Sequence, residues 1–153
     1  MASIFTEILN GRSPGRFIWA DDRVFAILTI EPRKPGHALV IPRIEVDRWS
    51  DLDEELAMHI FRVGRLIGLA QRDEWDADRV GVMFEGYRVP HAHLHVWPSW
   101  TVYEYSHTGI NRDPGTEALD EAFQRLRARM IDHGHGEFVP GLDWSIPQVN
   151  AAH

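Results

Sequence analysis

The 153-residue sequence contains no cysteine. Disulfides, thiolate nucleophiles and cysteine-ligated zinc are therefore excluded. No apolar run approaches the ~20 residues of a membrane span, and there are no internal repeats or low-complexity tracts. Basic charge is scarce: 16 Lys and Arg stand against 23 Asp and Glu, a formal net charge of −7. A protein that grips a nucleic-acid backbone needs the opposite balance. A small anionic ligand stays compatible, because local fields inside a pocket outweigh net charge. The first stretch, MASIFTEILNGRSPGRF, has no basic region, apolar block and cleavage site in the order of a secretory signal. The expectation is a cytoplasmic protein with neither a membrane nor a nucleic-acid partner.

What is present is an ordinary globular composition, 44% hydrophobic and 25% charged, in a length that suits one domain. Ile4, Phe5, Ile8 and Leu9 have helical spacing and are closed by Asn10-Gly11. RFIWA (16–20) and RVFAIL (23–28), joined by Asp21-Asp22, read as two strands around a tight turn, and HALVIP (37–42) follows a Pro- and Gly-punctuated loop as a third. Ser50 and Asp53 look like a capping box before the stripe Leu56, Ile60, Val63, Ile67 and Ala70, a helix reaching about Asp73. His59, beside that stripe, reads as structural. RVGVMF (79–84) and a histidine-bearing segment add two strands. Leu119, Phe123, Leu126 and Met130 mark a second helix ending before Gly134, where His133 and His135 read as a solvated helix end. The order implies an α+β fold with a mainly antiparallel sheet, and the tail from Glu137 to His153 looks irregular.

The chemistry concentrates in VPHAHLHVWP, where His91, His93 and His95 alternate with Ala92, Leu94 and Val96. On a strand the imidazoles then share one face and the apolar residues the other. His91 and His95 stand about 13 Å apart along a straight strand at about 3.3 Å per residue, so a single metal held by all three is strained. Such a site needs outside ligands, His37 or an acidic residue. Chemistry at phosphate fits better: neutral imidazole is a nucleophile and imidazolium donates two hydrogen bonds to an oxyanion. Trp97 and Trp100 fall close enough to wall such a site, although core packing explains them equally.

HAHLHVW resembles the histidine-triad pattern of the HIT superfamily. SIFTEILNGRSPGRFIWADDRVFAILTIEPRKPGHALVIPR is similar to the N-terminal half of Hint-like HIT proteins, with Asp21-Asp22, the Pro32 loop and Pro35-Gly36-His37 in order. The resemblance covers about residues 3–98. It implies the HIT α+β fold: a mainly antiparallel five-stranded sheet with a long helix, here plus an additional C-terminal helix. A HIT domain over 1–110 and a helical extension with an irregular tail over 111–153, packed on the same domain, are expected. So are a homodimer that joins its sheets, a purine nucleotide or nucleotide conjugate as ligand, and hydrolysis or transfer at the α-phosphate with no cofactor and no metal.

By the same resemblance His93 attacks phosphorus and is nucleotidylated, His95 donates to a phosphate oxygen, His91 helps hold the site, and His37, on the neighbouring strand, matches the family's fourth histidine. Phe5 and Ile8 from the first helix, with Ile27, Leu28 and Ile30 from the second strand, line the base pocket. Thr29 stands where many Hint-like proteins place a ribose-binding aspartate. The loop Phe84–Pro90 is shortened and lacks the hydroxyl that contacts phosphate; its Arg88 either clamps a phosphate or pairs with Glu85. Ser3 and Thr6 occupy the places of a zinc-binding Cys-x-x-Cys pair. Two other readings stay open: a nucleotide-binding or sensing module with little turnover, and a metal-dependent hydrolase.

Overall fold

The computed structural model describes residues 1–142. A short helix α1 (Ile4–Leu9) precedes strands β1 (Phe17–Ala20), β2 (Val24–Leu28) and β3 (Ala38–Pro42). The long helix α2 (Glu54–Trp75) leads to β4 (Arg79–Phe84) and β5 (Leu94–Ser99), and α3 (Thr116–Met130) follows two short 3-10 turns. The strands form one sheet in the order β1-β2-β3-β5-β4, and every neighbouring pair is antiparallel. The expected α+β architecture, five strands, long helix and additional helix are all present.

Strand alternation divides the sheet's two faces. Ile18, Val24, Ala26, Leu28, Val40, Leu94 and Val96 face one core with α2 and α3, through Ile60, Val63, Ile67, Phe123, Leu126 and Met130. Phe17, Phe25, Ile27, Leu39 and Ile41 face the other way and are covered by Phe5 and Ile8 of α1. Helix α2 lies close on the sheet because it carries glycine at the contacts. A Cβ on Gly64 would come within 2.8 Å of Leu94 Cδ2, and one on Gly68 within 2.8 Å of Val80 Cγ1. No helix among the described residues is long and apolar enough to cross a membrane.

Three local expectations are corrected. The cap of α2 is Asp53 alone, accepting from the Leu56 N–H, because Ser50 lies in a 3-10 turn ahead of it. The histidine strand is shorter than its alternation suggests, starting at Leu94. The last register pairs there are Val40–Leu94 and Phe84–Leu94, after which β4 gives way to the Glu85-Gly86 turn and β3 soon reaches Pro42, which has no N–H. The Ala92 N–H donates instead to the Val46 carbonyl, 2.7 Å. Alternation still persists upstream: Ala92 joins the helix-side core and His91 and His93 the opposite side. His133 is only partly solvated; its imidazole lies 2.9 Å from Asp73 and ties the end of α3 to α2. Glu137–Leu142 contains no strand or α-helix, and the rest of the tail, residues 143–153, lies outside the described residues. His59 is structural as expected, 2.7 Å from Asp21, which also accepts from the Trp19 indole.

Candidate active site

Register delivers the histidines to one place. Leu39 on β3 stands opposite His95 on β5, and His37, immediately before β3, is brought beside it. His37 Nε2 lies 2.9 Å from His95 Nδ1. The His93 and His95 rings are 5.0 Å apart, and Phe5 packs edge-on against His93 at 4.8 Å. Trp97, next on the same face, is fully buried and lies 5.4 Å from the His37 ring. It therefore floors the histidine row from within, whereas Trp100 is partly exposed and donates to the Asp76 carbonyl.

The partners of each ring assign its tautomer. The Arg33 backbone N–H donates to His37 Nδ1, 2.9 Å, so the His37 proton sits on Nε2 and is donated to His95 Nδ1. The His95 proton is thereby placed on Nε2, a buried atom with no partner among the described residues. His93 Nδ1 donates to the His91 carbonyl, 2.7 Å, which leaves the lone pair on His93 Nε2. His91 is held at both ends: Nε2 donates to the Pro42 carbonyl at 2.7 Å, and Nδ1 accepts from the Ser3 hydroxyl at 2.6 Å. Ser3 is also the N-cap of α1, and Glu45 accepts from the Ser3 N–H and the Thr6 hydroxyl, each at 2.6 Å. The first helix is thus fastened to the triad by a polar cluster.

Burial sets the protonation of the row. It pushes His37 well below the ordinary imidazole range, with further lowering by the neighbouring His95, Arg33 and His93 charges. Burial, then His93 and Arg33, push His95 down to about 3. His93 and His91 are also lowered by burial, against the opposing pull of their carbonyl partners. The folded row therefore binds fewer protons than the unfolded chain, whose imidazoles titrate near 6.5, and stability must rise with pH across that window. The urea midpoint is expected to be highest above pH 6.5 and to fall as pH drops from 8 to 5, before carboxylates begin to protonate. A midpoint that is flat or rises toward pH 5 would contradict neutral, buried histidines.

His93 and His95 open on a cavity of about 810 Å³. Phe5, Ile8, Ile27, Leu28, Thr29, Ile30 and Arg88 all line it, as does His37, while His91 lies behind the row. Two placements need correction. Ile30 is not part of the second strand, which ends at Leu28, and it is 67% exposed at the cavity rim. Arg88 does not pair with Glu85: it sits 3.8 Å from Glu31, whose carboxylate is shared with Arg112 at 2.9 Å. Being exposed, that pair holds Arg88 weakly. The Thr29 hydroxyl accepts from the Glu31 N–H at 3.2 Å and so is turned toward its own loop.

Other lining residues escaped sequence reasoning. Arg33 is nearly buried beside the histidines; a charged residue between two prolines has no periodicity that announces burial. Asp120, Phe123 and Gln124 of α3 reach the same cavity, with Asp120 bonded to Arg16 at 2.9 Å. A contact across 104 residues leaves no local signal.

The HIT domain family model matches residues 10–101. An uncharacterized HIT-like protein of Mycobacterium tuberculosis is 31% identical over 137 residues, which cover 84% of this chain and 95% of that protein. A bifunctional adenosine 5′-phosphosulfate phosphorylase/adenylylsulfatase of Arabidopsis thaliana is 31% identical over 120 residues, 71% of this chain and 81% of that one. Among solved structures, a zinc-bound histidine triad family protein from Mycobacterium smegmatis superimposes with a TM-score of 0.76 at 29% identity, covering 89% of this chain and 98% of that one. The donors in this chain do not fit such an ion. Both His91 nitrogens and both His37 nitrogens are committed to hydrogen bonds. Among the described residues no three His, Cys, Asp or Glu converge as metal ligands, whereas zinc asks for about four.

Proposed function

This chain belongs to the HIT family, and on that premise we propose that it is a nucleotide hydrolase or nucleotidyl transferase acting at an α-phosphate through His93. The observation that carries the reading is the tautomer of the row. His93 offers an Nε2 lone pair at the cavity, and the adjacent His95 offers an Nε2–H with no other partner among the described residues. A nucleophile beside a preorganised oxyanion donor is the pairing that displacement at phosphorus requires.

In this mechanism the His93 Nε2 lone pair forms a bond to the α-phosphorus as the bond to the leaving group breaks. The leaving group departs with the bonding pair and takes its proton from water. His95 Nε2–H donates to a nonbridging oxygen as charge develops there. The phosphorylated ring carries positive charge, which the His91 carbonyl stabilises by accepting from Nδ1. Water then attacks phosphorus, the P–Nε2 bond breaks with its electrons returning to His93, and a nucleoside monophosphate leaves. A base fits between Phe5, Ile8, Ile27 and Leu28, an apolar slot of the kind that holds planar ligands. The Arabidopsis relative's name, a phosphorylase and sulfatase of adenosine 5′-phosphosulfate, supports a purine nucleotide conjugate as substrate. Release of AMP from adenosine 5′-phosphoramidate by purified protein in chelator tests the reading. Tight AMP binding without turnover of several activated nucleotides would instead favour a sensing module.

A cytoplasmic location and a division at residue 110 belong to the same proposal; Phe123, Leu126 and Met130 of α3 share the main core, which supports an extension packed on the HIT domain. So does a homodimer. Strand β4 is a sheet edge, and beside it Trp49 stacks on Phe84 at 5.6 Å, with Phe61 at 5.9 Å. Val82 is 49% exposed on that strand. An exposed apolar edge of this kind calls for a covering partner, and a second copy pairing edge to edge supplies one. Native protein is expected to run as a dimer in light scattering and a Val82→Glu, Phe61→Asp variant as a monomer. A monomeric native protein at micromolar concentration would remove the dimer from this proposal.

A further inference from the structure

Arg33 is a cation almost wholly inside the protein, 7% exposed, with no carboxylate bonded to it among the described residues. Its Nη1 donates to the carbonyls of Glu104, 2.6 Å, and Ser106, 2.5 Å, and its guanidinium lies 5.3 Å from the Trp97 ring centre. The nearby Glu104 carboxylate is spent elsewhere, accepting from the Trp100 and Thr101 N–H groups and the Thr101 hydroxyl. A buried arginine bonded only to neutral carbonyls and an indole is costly unless its charge serves something close by. What is close by is the histidine pair, because the same residue's backbone N–H donates to His37 Nδ1.

We infer that Arg33 is a positioning residue. Its guanidinium, locked onto the 104–106 segment and over Trp97, holds in place the backbone N–H that sets the His37–His95 tautomer. It also sets a fixed positive charge beside the pair, adding to the burial that keeps it neutral. The chain of donors runs from Arg33 N–H to His37 and from His37 to His95, which lines the cavity and whose Nε2–H has no partner among the described residues. If His95 were protonated on both nitrogens, His37 would have to reverse its own proton and lose the Arg33 bond. A positive charge next to the pair opposes that change. The charged groups facing the pair are Arg33 from the loop before β3 and His93 from the segment before β5. Glu85, after β4, acts on both of these, while Glu31, Arg88 and His107 stand around the same cavity. Residues 102–109, beyond the matched domain, are thereby wired to the site.

The inference rests on the proposed function for the use of the His95 proton but not for its placement, and the test separates the two. Full-length protein labelled with ¹⁵N-histidine is followed by imidazole NMR from pH 8 to 5 as native, Arg33→Met and Arg33→Lys, alongside phosphoramidase kinetics. In the native protein the pair is expected to hold one tautomer without titrating. In Arg33→Met the single tautomer is expected to give way to exchange between two, and kcat to fall about tenfold with KM little changed. Arg33→Lys restores the charge but not the paired hydrogen bonds to the Glu104 and Ser106 carbonyls, and recovers the single tautomer and kcat only in part. A folded Arg33→Met whose His37 and His95 signals follow the native ones overturns the inference. Should that variant not fold, Arg33→Lys decides: native kcat with native signals overturns it, and a lost single-tautomer pattern or lowered kcat supports it. Native protein that turns over no nucleotide removes the proposed function alone, since the NMR arm still reads Arg33.

Discussion

Replacing His93 by alanine is expected to lower AMP release from adenosine 5′-phosphoramidate by at least about a thousandfold, roughly 4 kcal/mol of barrier. The size follows from the role: without Nε2 no covalent path exists, and water must attack the phosphoramidate directly. His93 is 6% exposed against Phe5 and His95, so its removal leaves a small hole beside an open cavity and the fold should tolerate it. Chromatographic rates for both proteins, with matched melting curves, make the comparison. Mass spectrometry of native protein quenched during turnover should show a nucleotidyl adduct on the peptide carrying His93, absent from the variant. An unchanged rate would end the covalent mechanism, whatever the cavity binds.

Trp97→Ala is expected to cost about 3–5 kcal/mol of stability, the range for truncating a buried aromatic. Trp97 is fully buried and fills the space between four groups: His37 at 5.4 Å, Tyr105 at 4.9 Å, the Arg33 guanidinium, and Gly81 in register on β4. Gly81 is small for this reason, since a Cβ there would overlap the indole. Truncation therefore opens a cavity and also strips Arg33 of the ring it lies over. Trp97→Phe keeps most of the volume, and the Trp97 indole N–H has no partner among the described residues to lose, so it should cost much less. Urea unfolding of the three proteins measures both effects. A loss below about 1 kcal/mol for the alanine variant would mean that the floor of the site collapses to fill the gap.

Much of the architecture was legible in local patterns. β4 falls on the predicted residues 79–84, because a run of β-formers bounded by Asp78 and Glu85-Gly86 leaves little choice. α2 follows from a stripe at three- and four-residue steps, which only a helix turns to one side. Where the reading missed, the missing information was non-local. The histidine strand begins at Leu94 because its neighbours run out there, and alternation in one segment cannot report where its partners stop. Arg88 faces Glu31 rather than Glu85 because the loop's path, not its composition, decides which carboxylate is near.

The same division runs through the site. The sequence by itself determined that three imidazoles share a face opposite apolar residues, that no thiol or cysteine-held metal takes part, and that the chain resembles the HIT family. Side-chain period is a property of the backbone, and residue chemistry does not depend on fold. Only the tertiary structure decided which nitrogen of each histidine carries its proton. That assignment depends on the Arg33 N–H, the His91 and Pro42 carbonyls and the Ser3 hydroxyl. Two of these, the Pro42 carbonyl and the Ser3 hydroxyl, lie far along the chain from the ring they serve, as His37 does from His95. Hydrogen bonds act within about 3 Å, and proximity on that scale exists only once the chain has folded.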